Sequence, residues 1–378
     1  MKKTRKLAGI MVAAVLAAGL VGCGSGQTAA TQAQTEAAKT TEAPKAGEPA
    51  KEETAKEVPA SEGETGAQMA ELPEHYKMAA VKASEEPIEI KFCYYSNNPF
   101  WDLIKAGLND VTNYLASYNC TVTPVDMGSE ADGKTIADYI ETLELDDPAG
   151  IVCPPMADGT EAYIDRAVSD GVTVATYLSE STNQTDTRIC FVGSDAVAGG
   201  ATAAQMTADY TGGKGTVGVI TGYLTMNQHE ERRKGFNDKL AELAPDLTLL
   251  EPVEAHDSAT ETYDAAVDLI TAYPDLKVIY CTAGGPYGAA QAVKDQGKTG
   301  EIGVVCFDWV PDNLQYVATG EIIGAVSQDP ENMAWMSVMS IFNYTVTGEK
   351  PESTHLLTDS DLVTPDTLAE KVPDFKAQ

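Results

Sequence analysis

Ile88-Glu89-Ile90-Lys91-Phe92-Cys93-Tyr94-Tyr95, followed at once by Ser96-Asn97-Asn98-Pro99-Phe100-Trp101, is the stretch that decides the fold. The first eight residues alternate and are rich in β-branched and aromatic side chains, which marks a strand. Beyond the hexapeptide, Leu103, Ile104, Leu108, Val111 and Leu115 recur with helical spacing. Asn98, Phe100 and Trp101 thus stand on a loop at the carboxyl end of a strand, just before a helix. Open α/β sheets bind ligands at such loops. Pro99 fixes one dihedral and biases Asn98 away from helix, so the loop is stiff. Two aromatic faces beside one amide suit a small polar ligand with an apolar face, such as a sugar ring. The same residues also fit a hydrophobic staple, with Phe100 or Trp101 tucked under its own helix.

Downstream the chain alternates strand and helix. Strands are expected at Cys120–Val125, Ala149–Pro155, Val172–Tyr177 and Cys190–Asp195, with helices between them. The pattern then restarts: a helix from Ala198, a strand Thr216–Thr221, a helix Glu230–Leu243, a strand Leu247–Val253 and a helix Thr260–Tyr273. Strands at Val278–Cys281 and Ile302–Asp308 follow, with a helix at Tyr287–Asp295 between them. Such alternation implies parallel sheets covered by helices. Two similar halves in tandem imply two lobes with a cleft between them. Gly212-Gly213-Lys214-Gly215 lacks phosphate-loop spacing and precedes a strand rather than a helix, so it reads as a helix-ending turn.

The chain opens with Met1-Lys2-Lys3-Thr4-Arg5-Lys6, an apolar run from Leu7 to Val21, and Gly22-Cys23. A basic start, a short apolar run and a small residue at the cut describe a secretory signal peptide at 1–22. Leu20-Val21-Gly22-Cys23 resembles the bacterial lipobox, which implies cleavage before Cys23 and lipid on that residue. Residues 24–86 are poor in aromatics and rich in Ala, Glu, Thr, Lys and Pro, so they are expected to be a disordered tether. A flexible chain of that length spans roughly 45 Å. The net charge is −31, and removing the signal with its four basic side chains makes it −35. That argues against nucleic acid as a partner and against charge-driven binding to anionic lipid. Cys93, Cys120, Cys153, Cys190, Cys281 and Cys306 show no metal-ligand spacing and mostly lie in apolar runs, as buried small hydrophobes do. Their spacing does not decide whether any of them pair.

From about Ile88 to Thr358 the chain resembles the type I periplasmic solute-binding proteins of the ribose/galactose kind. The resemblance rests on six motifs in order. They are Asn98-Pro99-Phe100-Trp101; Ala149-Gly150-Ile151-Val152; Val192-Gly193-Ser194-Asp195 with Gly199-Gly200; Arg232-Arg233-Lys234-Gly235-Phe236; Val305-Cys306-Phe307-Asp308; and Ala325-Val326-Ser327-Gln328-Asp329-Pro330. The implied fold is α/β, two Rossmann-like lobes with parallel sheets joined by a three-crossover hinge that closes on a sugar. Lobe one is expected at 87–193 plus 327–357, and lobe two at 194–326 plus 358–378. The carry-over makes Asn98, Phe100, Trp101, Asp308 and Gln328 ligand-binding residues. Two matches fail: where ribose-type members carry an Asp–Arg pair, this chain has Leu178-Ser179, and where they carry a ligand arginine, it has Glu230. Glu230 is therefore expected to present an acceptor in place of a cation, with Ser179, Asn227 and Trp309 as weaker contacts.

The function expected is an extracytoplasmic, lipid-anchored receptor, monomeric, that delivers a small polar solute, a sugar or sugar-like molecule, to an ABC permease and ATPase. The alternative is a ligand-binding sensor subunit for a membrane kinase or chemoreceptor. No nucleophile–base pair, metal cluster or phosphate loop survives the structural test, so no enzyme, cofactor or metal is expected.

Overall fold

The computed structural model describes residues 70–129, 133–156 and 158–377. The signal segment, Cys23 and residues 24–69 of the expected tether lie outside the described residues. The first half of the body runs β1 (Ile88–Tyr94), α1 (Phe100–Leu115), β2 (Cys120–Asp126), α2 (Gly133–Leu143), β3 (Gly150–Cys153), α3 (Glu161–Ser169), β4 (Thr173–Tyr177) and β5 (Cys190–Gly193). The chain then crosses into α4 (Ala196–Thr211), β6 (Thr216–Thr221), α5 (Asn227–Leu243), β7 (Thr248–Leu249), β8 (Val253–Glu254) and α6 (Ala259–Ala272). This second half continues through β9 (Leu276–Cys281), α7 (Pro286–Asp295), β10 (Gly303–Phe307), α8 (Pro311–Thr319) and β11 (Ile322–Val326). It returns through α9 (Pro330–Thr347) and β12 (His355–Leu357), and crosses a third time to β13 (Leu362–Val363) and α10 (Leu368–Lys371).

Two sheets result. The first, in order β12-β5-β4-β3-β1-β2, is the base of lobe one; the second, β13-β11-β10-β9-β6-β7 with β8 beside β6, is the base of lobe two. Every pairing is parallel except β11 with β13. The inner strands β3 and β10 are buried along their whole length, as sheets covered by helices on both faces require. All six described cysteines are buried and unpaired, five of them in inner strands and Cys120 at an edge. The glycine run after α4 is a helix-ending turn, with Gly212 and Gly213 at positive φ just before β6.

The tether expectation fails for residues 70–86. Tyr76 is 3% exposed, and its ring stacks on Trp335 of α9 at 3.9 Å and 9°. Its hydroxyl donates to Asp110 at 2.7 Å. Side chains of α1, α9 and the turn after α1 satisfy the backbone of this segment. Asn332 donates to His75 O, Trp335 Nε1 to Met78 O, Asn343 to Ala79 O, and Tyr118 to Ala70 O, at 2.6–3.2 Å. A strap of extended chain is thus held without regular structure, because its polar groups are paired and its few apolar side chains are buried. This arrangement also accounts for α9, which is buried on nearly every face from Pro330 to Phe342. One side lies on the first sheet and α1, and the strap covers the other.

Candidate functional site

The carboxyl ends of strands from both lobes meet around a cavity of about 30 Å³. Asn97, Asn98, Phe100, Trp101, Met156 and Leu178 line it from lobe one. Gln228, His229, Arg232, Asp257, Gly284 and Asp308 line it from lobe two, with Gln328 at the hinge. The lobes are closed on one another. A Cβ added to Gly284 of lobe two would meet Asn98 Nδ2 of lobe one at 3.1 Å. So small a volume holds no monosaccharide; ligand pockets run to about 300 Å³ and more, so entry needs the lobes to part.

Four of the lining residues, Met156 (φ 50°), Leu178 (φ 68°), Asp257 (φ 57°) and Asp308 (φ 75°), are non-glycines in the left-handed region. Each such conformation costs of order 1–3 kcal/mol and persists only when neighbours over-determine it. At Asp308 the restraint is visible. Its N–H donates to Val326 O at 2.8 Å, and Asn313 Nδ2 donates to the carbonyls of Phe307 and Asp308 at 3.0 and 2.9 Å. At Asp257, Oδ1 accepts from Gly284 N at 3.0 Å, and a Cβ at Gly222 would fall 2.4 Å from that oxygen. Only glycine at 222 lets this carboxylate enter.

Arg232, 2% exposed, lines the same cavity as the two carboxylates. Nη1 donates to Thr282 O at 2.7 Å, and the guanidinium lies 4.0 Å from the Phe307 ring centroid. Nε and Nη2 are buried without partners among the described residues. Two unpaired donors on a buried cation are costly, and a ligand offering acceptors would relieve them. Burial lowers the Arg232 pKa, while Asp308, the strongest of the nearby acids, raises it. Burial raises Asp308 and Asp257, against the opposing pull of Arg232 on both. His229 is pushed down to about 3, first by burial and then by Arg232. It is therefore neutral, and its Nδ1 accepts from Tyr223 N at 3.2 Å. The centre holds one cation and two carboxylates.

Of the sequence candidates, Asn98, Phe100, Trp101, Asp308 and Gln328 converge on this cavity. The hexapeptide residues serve as cavity lining and as packing at once. Phe100 and Trp101 line the cavity, and they also pack edge-on to each other at 5.5 Å, with Trp101 against Tyr95 at 5.4 Å. Trp101 is 2% exposed and donates from Nε1 to Asn97 Oδ1 at 2.7 Å, so it is a core residue as well as a wall. Asn98 Oδ1 accepts from Phe100 N at 3.0 Å and starts α1.

Other candidates fall elsewhere. Glu230 lies outside the cavity and pairs with Arg233, whose Nε donates to Oε1 at 3.0 Å. The buried face of α5 is Gln228, His229, Arg232, Gly235 and Phe236, and Glu230 is off it. The cleft therefore keeps a cation, contrary to the expected exchange of arginine for an acceptor; the arginine of the motif itself supplies it. Ser179 and Asn227 line a neighbouring groove that shares Leu178 and Gln228 with the cavity. Trp309 lines a third groove on the Asp308–Gln328 side and donates to Ala325 O at 2.8 Å. Sequence reading missed Arg232 and Asp257 as site residues.

Two α/β lobes, three crossings and a polar cavity between strand ends define a hinged binding protein. The sequence pattern described as the periplasmic binding protein domain matches residues 92–350, and the chain belongs to that family. The D-allose-binding periplasmic protein of Escherichia coli (strain K12) is 28% identical over 265 residues, covering 68% of this chain and 82% of that protein. A solute-binding protein of Burkholderia graminis solved with D-arabinose superposes with a TM-score of 0.69 at 24% identity, over 75% of this chain and 98% of that one. One from Agrobacterium vitis, bound to α-D-tagatopyranose, gives a TM-score of 0.69 at 20% identity, over 77% and 99%.

Proposed function

We propose that this protein is a binding protein for a small neutral polyhydroxylated ligand, a monosaccharide or related polyol, captured between the lobes by hinge closure. The observation that carries the reading is the buried set of Arg232, Asp257 and Asp308. Arg232 offers donors at two unpaired nitrogens, and the carboxylates offer acceptors in the same cavity. A hydroxyl both accepts and donates, so neighbouring hydroxyls can bridge this set and leave nothing unpaired. An anionic ligand would meet two carboxylates against one cation. Phe100 and Trp101 supply the apolar wall against which a ring lies, and Asn98 and Gln328 add amide contacts. The sugars named for the relatives above are consistent with this chemistry.

Delivery to an ABC importer is the role the family suggests. Leu20-Val21-Gly22-Cys23 supports anchoring through lipid on Cys23, outside the cytoplasm. The body is proposed to act as a monomer, since each chain supplies both walls of its own cleft. A thermal-shift screen of pentoses, hexoses, pentitols and their phosphates tests the reading. Ligands that bind the native state raise the melting temperature. Neutral sugars or polyols should do so and phosphates should not; a screen in which only anions stabilise the protein would overturn the assignment.

A further inference from the structure

Two side chains at the start of α5 reach across the cleft to backbone of the other lobe. Asn227 Nδ2 donates to Glu180 O at 2.6 Å. Gln228 Nε2 donates to Leu178 O at 2.8 Å and also to Gln328 Oε1 at 3.0 Å. Gln328 Nε2 in turn donates to Asp308 Oδ1 at 2.5 Å. A continuous run of hydrogen bonds thus leads from a lobe-one carbonyl, through α5 and the hinge, to a cavity carboxylate.

The receiving loop is stiffened out of proportion to its length. Arg188, 2% exposed, grips Glu180 through Nε and through Nη2, the latter at 2.6 Å. Thr176 Oγ1 donates to the same carboxylate at 2.5 Å. Asp158 accepts from Ser181 Oγ and Thr182 N at 2.8 and 2.9 Å. The Asp158 carboxyl is held below its usual range by Ser181 first, and Asn227 contributes to that shift. This ion pair, with Arg188 2% and Glu180 14% exposed, lies in the same loop as the two carbonyls that α5 reaches.

We propose that Asn227 and Gln228 form an inter-lobe latch, made of protein groups alone, that sets how readily the lobes close whatever the ligand. The inference rests on the two-lobe capture argued above. Asn227 lines only the neighbouring groove and not the ligand cavity, so it is a positioning residue and a clean probe. As the first residue of α5 it also allows a sharp control. Aspartate at that position favours a helix start, yet it would set an acceptor against Glu180 O and the Asp158 carboxylate.

The test compares wild type, Asn227→Ala and Asn227→Asp. Small-angle scattering of the ligand-free proteins should show both variants more open, Asn227→Asp the more so, while its melting temperature holds or rises. Calorimetry with two or more sugars found by the screen should show the alanine variant weaker by roughly three- to tenfold, by the same factor for each. Unchanged scattering in Asn227→Asp would overturn the latch, as would losses that differ between sugars, which would make Asn227 a ligand reader. If no sugar binds wild type, the functional reading fails while scattering still decides the latch.

Discussion

Removing Arg232 tests the site at its centre, and its two roles can be separated. With sugar bound, Nε and Nη2 are expected to donate to ligand oxygens. Hydrogen bonds to a charged group are worth about 1.5–3 kcal/mol each, so two amount to about 3–6 kcal/mol, or ~10²–10⁴ in affinity. Without ligand, Arg232 is the cation nearest Asp257 and Asp308. Arg232→Met leaves those two carboxylates buried together, which costs about 3–5 kcal/mol at neutral pH. Their folded pKa values, already raised by burial, would rise further. The native state then binds more protons than the unfolded chain at pH between the ordinary carboxylate value and the raised one. Stability must therefore increase as pH falls through that window. Urea unfolding at pH 7.5 and 5.5 should show the deficit shrinking at the lower pH. Arg232→Lys keeps the charge but not the planar donors, so it should unfold near wild type and still bind at least about tenfold more weakly in calorimetry. Binding by Arg232→Lys within about threefold of wild type (~0.65 kcal/mol) would refute the role given to the guanidinium.

Trp101→Ala should weaken every bound sugar by a similar factor, and it should also destabilise the protein by about 3–5 kcal/mol, because the ring is core as well as wall. Calorimetry and chemical unfolding report the two effects. Asp308→Asn should discriminate among sugars, losing most for those whose hydroxyls donate to the carboxylate; equal binding would make Asp308 purely structural. A chain that starts at residue 70 should be as stable as the full body, whereas one that starts at 87 uncovers Trp335 and should melt lower and aggregate, as light scattering on heating would show. His229, held near 3, binds protons in the unfolded chain first, so it withdraws stability as pH falls from about 6.5, at up to ~1.4 kcal/mol per unit. His229→Gln should flatten that part of the urea-stability profile, and an unchanged slope would contradict the buried neutral imidazole.

The two-lobe α/β fold was legible because strand and helix alternate with strong periodicity: β1 ends one residue before the end of the run read from Ile88, and α1 starts at Phe100, three residues before the first apolar position read at Leu103. Asp308 and Gln328 came into view through the family resemblance, in the motifs Val305-Cys306-Phe307-Asp308 and Ala325-Val326-Ser327-Gln328-Asp329-Pro330, and they follow β10 and β11 by one and two residues. Asp257 did not: it follows β8, only two residues long, and its entry depends on Gly222, distant in sequence. Arg232 was in view as part of a motif, but its direction depends on which face of α5 is buried. The spacing of 228, 229, 232, 235 and 236 carries that information and places Glu230 off the buried face. The strap was hidden by averaging. Over 63 residues the composition is that of a solvated chain, while the docking is done by a few side chains, chiefly Tyr76, Leu72 and Met78.

The strap also ties the entering chain to one half of the molecule. The chain enters the body along lobe one, from Ala70 beside Tyr118 to Val81 beside Asn343. A restraint on the segment upstream of Ala70 would be passed to lobe one, which would become the stator. Lobe two, carrying Arg232, Asp257 and Asp308, would then be the swinging limb. Were the upstream chain anchored as proposed, opening would be a one-sided stroke: the aromatic wall would keep its station, and the charged half of the cleft would travel to the ligand.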